Sequence, residues 1–352
     1  MAAVARKAFV SAVVVVAVVA GALALWKLKV IIALLFLAFI VAAAMRPGVE
    51  TLRTRGVPRG FGVLIHYLAL FAVIGGLLWL AVPRAVNQVQ DAINTLPKTE
   101  ETSTQKKNQS FKHKLLLDIH KRLENLPTGS KLVRPAVNIT VRAFEILIGI
   151  FFVLASAAYW VFERDRAEQL VVSLLPHDKR KVVRDTWNLI DLKLGAFVRG
   201  QLILILLVGT VLSLAFWLIG VPYWILVGSF AGIVEIVPVI GPLAAGALAI
   251  GVGLTKSIGV GLAAGIAVLV VRLLEDYIII PRVLGEAVGL SPLVVLVAVT
   301  GVGILFGGFA VLLAVPLAAV VATLIDVILL DKDPAKEEVP AVLFASKDAE
   351  TV

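Results

Sequence analysis

Eight long apolar runs dominate the sequence, and several reach the roughly 20 residues that an α-helix needs to cross a bilayer. The chain is 60% hydrophobic and only 16% charged, whereas soluble globular chains are about 25% charged. Backbone polar groups cannot stay unpaired in lipid, and the alternating pattern of barrel strands is missing from the sequence. We therefore predict an all-α polytopic membrane protein with about eight transmembrane helices. The runs cover residues 8–26, 30–45, 61–82, 144–162, 200–219, 222–254, 257–274 and 292–330.

Polar segments divide these runs into regions of different character. The middle of one segment, "TEETSTQKKNQS", has a composition typical of disorder, whereas its flanks have helical periodicity. The predicted organisation is N-terminal membrane helices 1–3 at 1–82, a polar helical insert at 83–143, membrane helix 4 at 144–162, an amphipathic segment at 163–199, a transport core with broken helices at 200–330, and a disordered tail at 331–352.

Basic residues predict the orientation in the membrane. The segment 46–60 holds four arginines against one glutamate, so the positive-inside rule places it in the cytoplasm. Counting spans from there puts both termini and the segment 163–199 in the cytoplasm and the insert 83–143 outside. The lysines and arginines of the insert favour the opposite side, but long segments cross the membrane largely regardless of charge.

The first apolar run resembles a signal peptide in some respects. Arg6 and Lys7 precede it, and "ALA" at residues 22–24 resembles a signal-peptidase site. The run is longer than most signal-peptide cores, and a second apolar run follows almost at once. We therefore interpret it as a retained first helix.

An apolar stripe marks the otherwise charged segment 163–199. Two interpretations of the stripe stay open: it lies in the membrane interface, or it packs against neighbouring helices. Its residues are Val183, Trp187, Ile190 and Leu194.

Charge is scarce and unevenly placed in the segment 200–330. Of its eight charged residues, five fall between Arg272 and Glu286. Ionisable residues within a membrane are costly and therefore indicate a functional site by default. The sequence thus points to the stretch "LLEDYIIIPRVLGEAVGLSP" (273–292) as part of a site.

A first helix break is predicted at "EIVPVIGP" (235–242). Pro238 and Pro242 lack the amide hydrogen that a helix needs, and Gly241 permits a tight turn. Interrupted membrane helices commonly build transport sites, and Glu235 stands at the start of this one. A plain turn between two spans, with Glu235 at its aqueous end, remains the alternative.

A second break is predicted at "IIIPRVLG", around Pro281 and Gly285. Just before it, Arg272 precedes Glu275 and Asp276 by three and four residues, a spacing that lets the side chains pair on one helix face. Two interrupted segments in a membrane core indicate a binding site between them. An ordinary connecting loop is the alternative here.

Several classes of function find no support in the sequence. The four histidines are scattered, and neither a nucleophile elbow nor a phosphate-binding loop occurs. The chain has no cysteine and therefore no disulfide or thiolate metal site. Its net charge of +9 lies mainly between the apolar runs, where topology and anionic lipid explain it without nucleic acid. We predict neither enzymatic activity nor a metal or cofactor.

Three stretches resemble the signature blocks of a known family: "EIVPVIGP", "LLEDYIIIPRVLGEAVGLSPLVV" and "LFGGFAVLLAVPLAAV". They are similar to those of the AI-2E family of bacterial transporters, named for autoinducer-2 export, and the resemblance extends over nearly the whole chain. It implies about eight helices in the bacterial inner membrane with both termini cytoplasmic. It further implies export of a small solute or cation/proton exchange, in a homo-oligomer such as a pentamer.

These observations predict a secondary transporter that works by alternating access. A passive oligomeric pore and a membrane scaffold acting through residues 83–143 are the alternatives. The predicted partners are the lipid bilayer, a small solute or ion, and further copies of the chain. The residues predicted to bind substrate or ion are Glu235, Pro238, Gly241, Pro242, Arg272, Glu275, Asp276, Pro281, Arg282 and Gly285.

Overall fold

The computed structural model describes residues 2–95, 133–238, 240–280, 289–337, 339, 340 and 342. Helices make up nearly all of this part of the chain, and it contains no strand. The prediction of an all-α polytopic membrane protein is confirmed, because the described residues include seven helices long and apolar enough to span a bilayer. Three shorter apolar helices accompany them, at Trp224–Val234, Ile240–Lys256 and Pro292–Phe306.

Ten α-helices follow one another along the described chain. They are α1 (Ala2–Lys27), α2 (Lys29–Thr54), α3 (Arg59–Thr95), α4 (Val133–Ser173), α5 (His177–Ile219), α6 (Trp224–Val234), α7 (Ile240–Lys256), α8 (Ile258–Leu274), α9 (Pro292–Phe306) and α10 (Ala314–Ile328). A π-helical turn at Glu275–Ile279 continues α8, and 3₁₀ turns occupy Gly308–Leu313 and Pro334–Lys336.

The chain divides into two compact units. One comprises Met1–Val86 and Val153–Val352, and the other comprises Asn87–Phe152. In the second unit the described residues belong to the end of α3 and the start of α4. Most of the predicted polar insert, residues 96–132, lies outside the described residues.

Helix α5 joins two regions that the sequence suggested were separate. Its 43 residues correspond to a length of about 65 Å at 1.5 Å per residue, roughly twice the hydrocarbon thickness of a bilayer. It therefore includes most of the predicted amphipathic segment as well as the first apolar run of the predicted transport core. The physical reason is that no proline interrupts the chain between His177 and Ile219.

The apolar stripe at the start of α5 packs against neighbouring helices. Leu194 is fully buried in a cluster with Ile40 of α2. Trp187 stacks on Trp160 of α4, with 6.1 Å between ring centroids. The sequence left two interpretations of this stripe open. In the structure the stripe packs against neighbouring helices.

A larger apolar cluster lies where α5, α6, α7 and α8 meet. The parts of these helices that meet belong to the segment 200–330, in which charge is scarce, so their facing surfaces are almost entirely apolar. This cluster forms the surroundings in which the few charged residues of the segment are placed. Its buried members are Val208, Leu212, Phe216, Val221, Val227, Ala231, Ala245, Ala249, Ala264, Val268 and Val271.

The start of the C-terminal tail makes specific contacts. We expected disorder from Asp331 onward, but Pro334 is buried and Val342 is 5% exposed, packed against Ala196 of α5. Buried basic side chains on α5 explain the difference, because they bind polar groups of this segment.

Candidate functional site

The predicted helix break is present between α6 and α7. Helix α6 ends at Val234, and the next residues form short-range turns: the amide of Val237 donates to the carbonyl of Val234 at 3.0 Å. Pro238 has no amide hydrogen, so the α-helical bonding of α6 cannot continue through it. Helix α7 then begins at Ile240, with Pro242 in its first turn, where a missing amide hydrogen costs little.

Gly241 permits the close approach of the two helix ends. A Cβ atom at this position would stand 2.0 Å from the carbonyl oxygen of Val234. No larger residue fits there unless the break opens. The glycine that the sequence assigned to the break is therefore required by packing, and the short turn brings Glu235 into the protein interior.

A single arginine contacts acidic residues from two parts of the chain. Arg272, at the end of α8, places Nη1 at 3.1 Å from Oε1 of Glu235 and at 3.3 Å from Oε2 of Glu275. Its Nη2 lies 2.8 Å from Oδ1 of Asp276. The pairing with Glu275 and Asp276 agrees with their helical spacing, whereas the pair with Glu235 joins the two predicted motifs.

Burial makes this cluster electrostatically unusual. Glu235 is 6% exposed and Glu275 is 2% exposed, while Arg272 and Asp276 reach solvent with part of their side chains. Within the described part of the chain, Oε1 of Glu275 is buried without a hydrogen-bond partner. One arginine cannot neutralise two buried carboxylates and a third beside them, so the arrangement favours the uptake of a proton or a cation.

A small cavity lies against these charges. Four helices and the break surround it, and its wall is apolar except for the cluster. It has room for about one water molecule or one small ion. The lining residues are Val208, Leu212, Ala231, Glu235, Pro242, Ala245, Val268, Val271, Arg272 and Glu275.

The structure thus brings most of the predicted site residues together. Pro238 and Gly241 form the break, while Asp276 stands beside Arg272 at the edge of the cluster. The three residues predicted for the second break, Pro281, Arg282 and Gly285, lie outside the described residues. Before them, the π-helical turn at Glu275–Ile279 continues the chain directly after α8, and such turns frequently occur at functional sites.

Gln201 is a site residue that the sequence analysis missed. Its buried Nε2 donates to the backbone carbonyl of Glu235 at 3.0 Å. This carbonyl belongs to the break, where the regular helical acceptor pattern ends, and Gln201 supplies a donor for it. The available signal was that Gln201 carries the one amide side chain among residues 200–219 of α5.

A second charged network lies outside this site. Arg164 of α4 places Nε at 2.8 Å from Oδ2 of Asp191 on α5, and Arg46 of α2 reaches the same oxygen at 3.3 Å. Arg164 also pairs with Glu168, one turn further along α4. Asp191 and Arg164 are 4% and 6% exposed. This network connects three helices.

Among the described residues, no group of three or more acidic or histidine side chains is arranged to hold a metal ion.

Together, the bundle of apolar helices and its broken element define a multi-pass α-helical membrane protein with a charged internal site. The chain belongs to the AI-2E family of transporters, because the model of that family matches residues 13–330. The resemblance drawn from the signature blocks is therefore confirmed. Membership of this family supports a role in membrane transport.

Individual relatives carry names of the same kind. "Putative transport protein YrrI" of Bacillus subtilis (strain 168) is 26% identical over 309 residues, covering 83% of this chain and 85% of the relative. "Putative transport protein YueF" of the same organism is 28% identical over 316 residues, covering 83% and 84%. "Putative permease PerM" of Escherichia coli (strain K12) is 26% identical over 184 residues, covering 51% and 52%.

Proposed function

We propose that the protein is a secondary transporter that works by alternating access around the cluster of Glu235, Arg272, Glu275 and Asp276. The observation that carries the proposal is the joining of two buried carboxylates through one arginine at the break between α6 and α7. Ionisable residues inside a membrane protein are costly and indicate a functional site by default. The cargo is a small solute to be exported, or a cation exchanged for protons.

The charge balance suggests how the cluster drives the transport cycle. When Glu235 and Glu275 are both ionised, they compete for Arg272, and their mutual repulsion is only partly compensated. Binding a proton or a cation removes this repulsion and stabilises a different arrangement of the break. A ligand that binds one arrangement better than the other shifts the population between the two.

The size of the cavity supports a small ion as one of the transported species. In the described conformation it has room for about one water molecule or one small ion. A larger solute requires a conformation in which the break between α6 and α7 opens wider. The carboxylates Glu235 and Glu275 are oxygen ligands suited to a hard cation or a proton.

We further infer a location in a bacterial cytoplasmic membrane, with both termini in the cytoplasm. The positive charge of segment 46–60 and the bacterial origin of the relatives named above support this orientation and location. Assembly into a homo-oligomer is proposed from the family resemblance alone.

The experiment that tests the proposal uses purified protein in liposomes. Uptake of candidate solutes and cations is screened against imposed proton and sodium gradients. We expect uptake that rises with one of these gradients and stops when an ionophore dissipates it. Fast flux that is independent of any ion gradient would contradict coupling and support the passive pore.

The scaffold alternative is tested separately. If the protein acts through the segment 83–143, removal of residues 98–112 abolishes its cellular function but leaves liposome transport intact. We expect instead that removal of residues 98–112 affects cellular function and liposome transport to the same extent. Both depend on the cluster of Glu235, Arg272, Glu275 and Asp276.

A further inference from the structure

The first part of the C-terminal tail lies along α5. Glu337 places Oε1 at 2.5 Å from Nζ of Lys193, and the carbonyl of Val342 accepts a hydrogen bond of 2.8 Å from Nε of Arg199. The Val342 side chain is 5% exposed and packs against Ala196. We call residues 331–342 the C-terminal segment.

The basic partners of this segment are buried on a membrane helix. Lys193 is 5% exposed and Arg199 is 8% exposed, and buried cations are costly unless they are paired. Within the described chain, Glu337 is the carboxylate that pairs with Lys193. The segment therefore supplies polar partners to two buried cations of α5, Lys193 and Arg199.

Side-chain contacts, with little regular structure, hold the described part of the segment on α5. Its regular structure is one short 3₁₀ turn, Pro334–Lys336, which the side chain of Asp333 caps by accepting from the amide of Ala335 at 3.1 Å. Glu337 keeps 36% of its side chain exposed, and exposure weakens an ion pair. Segments held by a few partly exposed contacts open readily on their own.

The same basic residues connect α5 to other helices. Lys193 also donates to Oγ1 of Thr323 on α10 at 3.1 Å, and Arg199 donates to the carbonyl of Ala44 on α2 at 3.1 Å. Two residues beyond Arg199, Gln201 holds the carbonyl of Glu235 at the break. The helix that receives the segment is therefore the helix that supports the site.

We propose that the C-terminal segment is an intramolecular ligand of α5 that docks reversibly and restrains the opening of the site. When docked, it fixes Lys193 and Arg199 in the positions that tie α5 to α10 and α2. When it leaves, α5 is freer to move relative to the break. The docking itself stands on the contacts described, while its effect on the transport cycle rests on the proposed function.

Docking is tested by cross-linking in the full-length chain. The protein contains no cysteine, so the double variant Ala196→Cys/Val342→Cys introduces its only two thiols. We expect a disulfide to form under mild oxidant, and Glu337→Gln in this background to slow its formation at least threefold. Asp331→Asn is the control, because it removes a charge from the same segment without touching Lys193. Absence of the cross-link, or equal rates with Glu337→Gln, would overturn docking.

The restraint is tested by the reactivity of a thiol placed in the cavity. Ala231 lines the cavity, so Ala231→Cys is labelled by a water-soluble maleimide only when the cavity opens. We expect Glu337→Gln to raise the labelling rate at least threefold, and Asp331→Asn to leave it unchanged. Val342→Ser, which weakens the apolar contact instead of the ion pair, should act in the same direction as Glu337→Gln.

A labelling rate of Ala231→Cys that is the same whether or not Glu337→Gln or Val342→Ser is added to it would overturn the restraint. That result would show that the segment does not restrain the site. Neither readout measures flux. The restraint can therefore fail while gradient-driven transport is found, and it can hold while the transport proposal fails.

Discussion

Arg272 is the one cation within the described residues that contacts the three carboxylates of the site. At the scale of single residues, the chemistry of the site follows from this imbalance, because two of the carboxylates are almost fully buried. A buried carboxylate that lacks full compensation binds a proton or a cation readily. In the proposed function, this imbalance is what makes the cluster bind and release small positive ions.

Gln201 is expected to act as a positioning residue for the break. Gln201→Met keeps the size of the side chain but leaves the carbonyl of Glu235 without its donor, which costs about 1–3 kcal/mol for a buried group. We expect slower transport and a lower melting temperature in detergent. Leu202→Met, a neighbouring exposed position, should change neither quantity.

At the scale of the elements, the break between α6 and α7 depends on a close approach of backbone atoms. Pro238 interrupts the helical hydrogen bonds, and Gly241 allows the start of α7 to lie against the carbonyl of Val234. A separate network of charged residues holds α2, α4 and α5 together. The close approach shapes the break itself, whereas the charged network joins three helices outside the site.

The close approach gives a sharp prediction for two glycines of α7. Gly241→Ala places a Cβ 2.0 Å from the Val234 carbonyl oxygen, and such overpacking costs about 1–3 kcal/mol or more. Gly251→Ala on the same helix meets nothing within 4 Å and should stabilise the helix by about 0.5–1 kcal/mol. Thermal unfolding in detergent should separate the two variants. Equal melting temperatures would contradict the packing at the break.

The charged network predicts a loss of stability without a change in the site. Asp191→Asn leaves Arg164 and Arg46 near a neutral partner, and breaking a buried ion pair costs about 3–5 kcal/mol. We expect a lower melting temperature in detergent than for Asp185→Asn, a partly exposed acid on the same helix. A melting temperature equal to that of the parent protein would show that the network contributes little.

At the scale of the whole molecule, the sequence predicted what depends on local chemistry. Long apolar runs identify the spans, Pro238 identifies the break, and the spacing of Arg272 and Glu275 identifies their pairing, because each depends on neighbours along one helix. The pair of Arg272 with Glu235 joins residues 37 positions apart. It depends on how α5, α6, α7 and α8 pack together, which periodicity does not reveal.

The same limit explains the other residues that were missed. Gln201 contacts a backbone carbonyl 34 positions away, and Lys193 and Arg199 contact the C-terminal segment more than 140 positions away. Polar residues in an apolar helix were visible in the sequence, but their partners were not. The tail composition suggested disorder because its binding site on α5 forms only after the helices pack.

In the proposed function the buried carboxylates Glu235 and Glu275 carry the transport chemistry, and Glu275→Gln tests this role. Parent protein and variant are purified, reconstituted at equal density, and compared in gradient-driven uptake. We expect Glu275→Gln to reduce uptake at least tenfold at normal expression, while Glu145→Gln, an exposed glutamate on α4, retains the parent rate. Uptake at the parent rate by well-expressed Glu275→Gln would show that this carboxylate does not carry the transport chemistry.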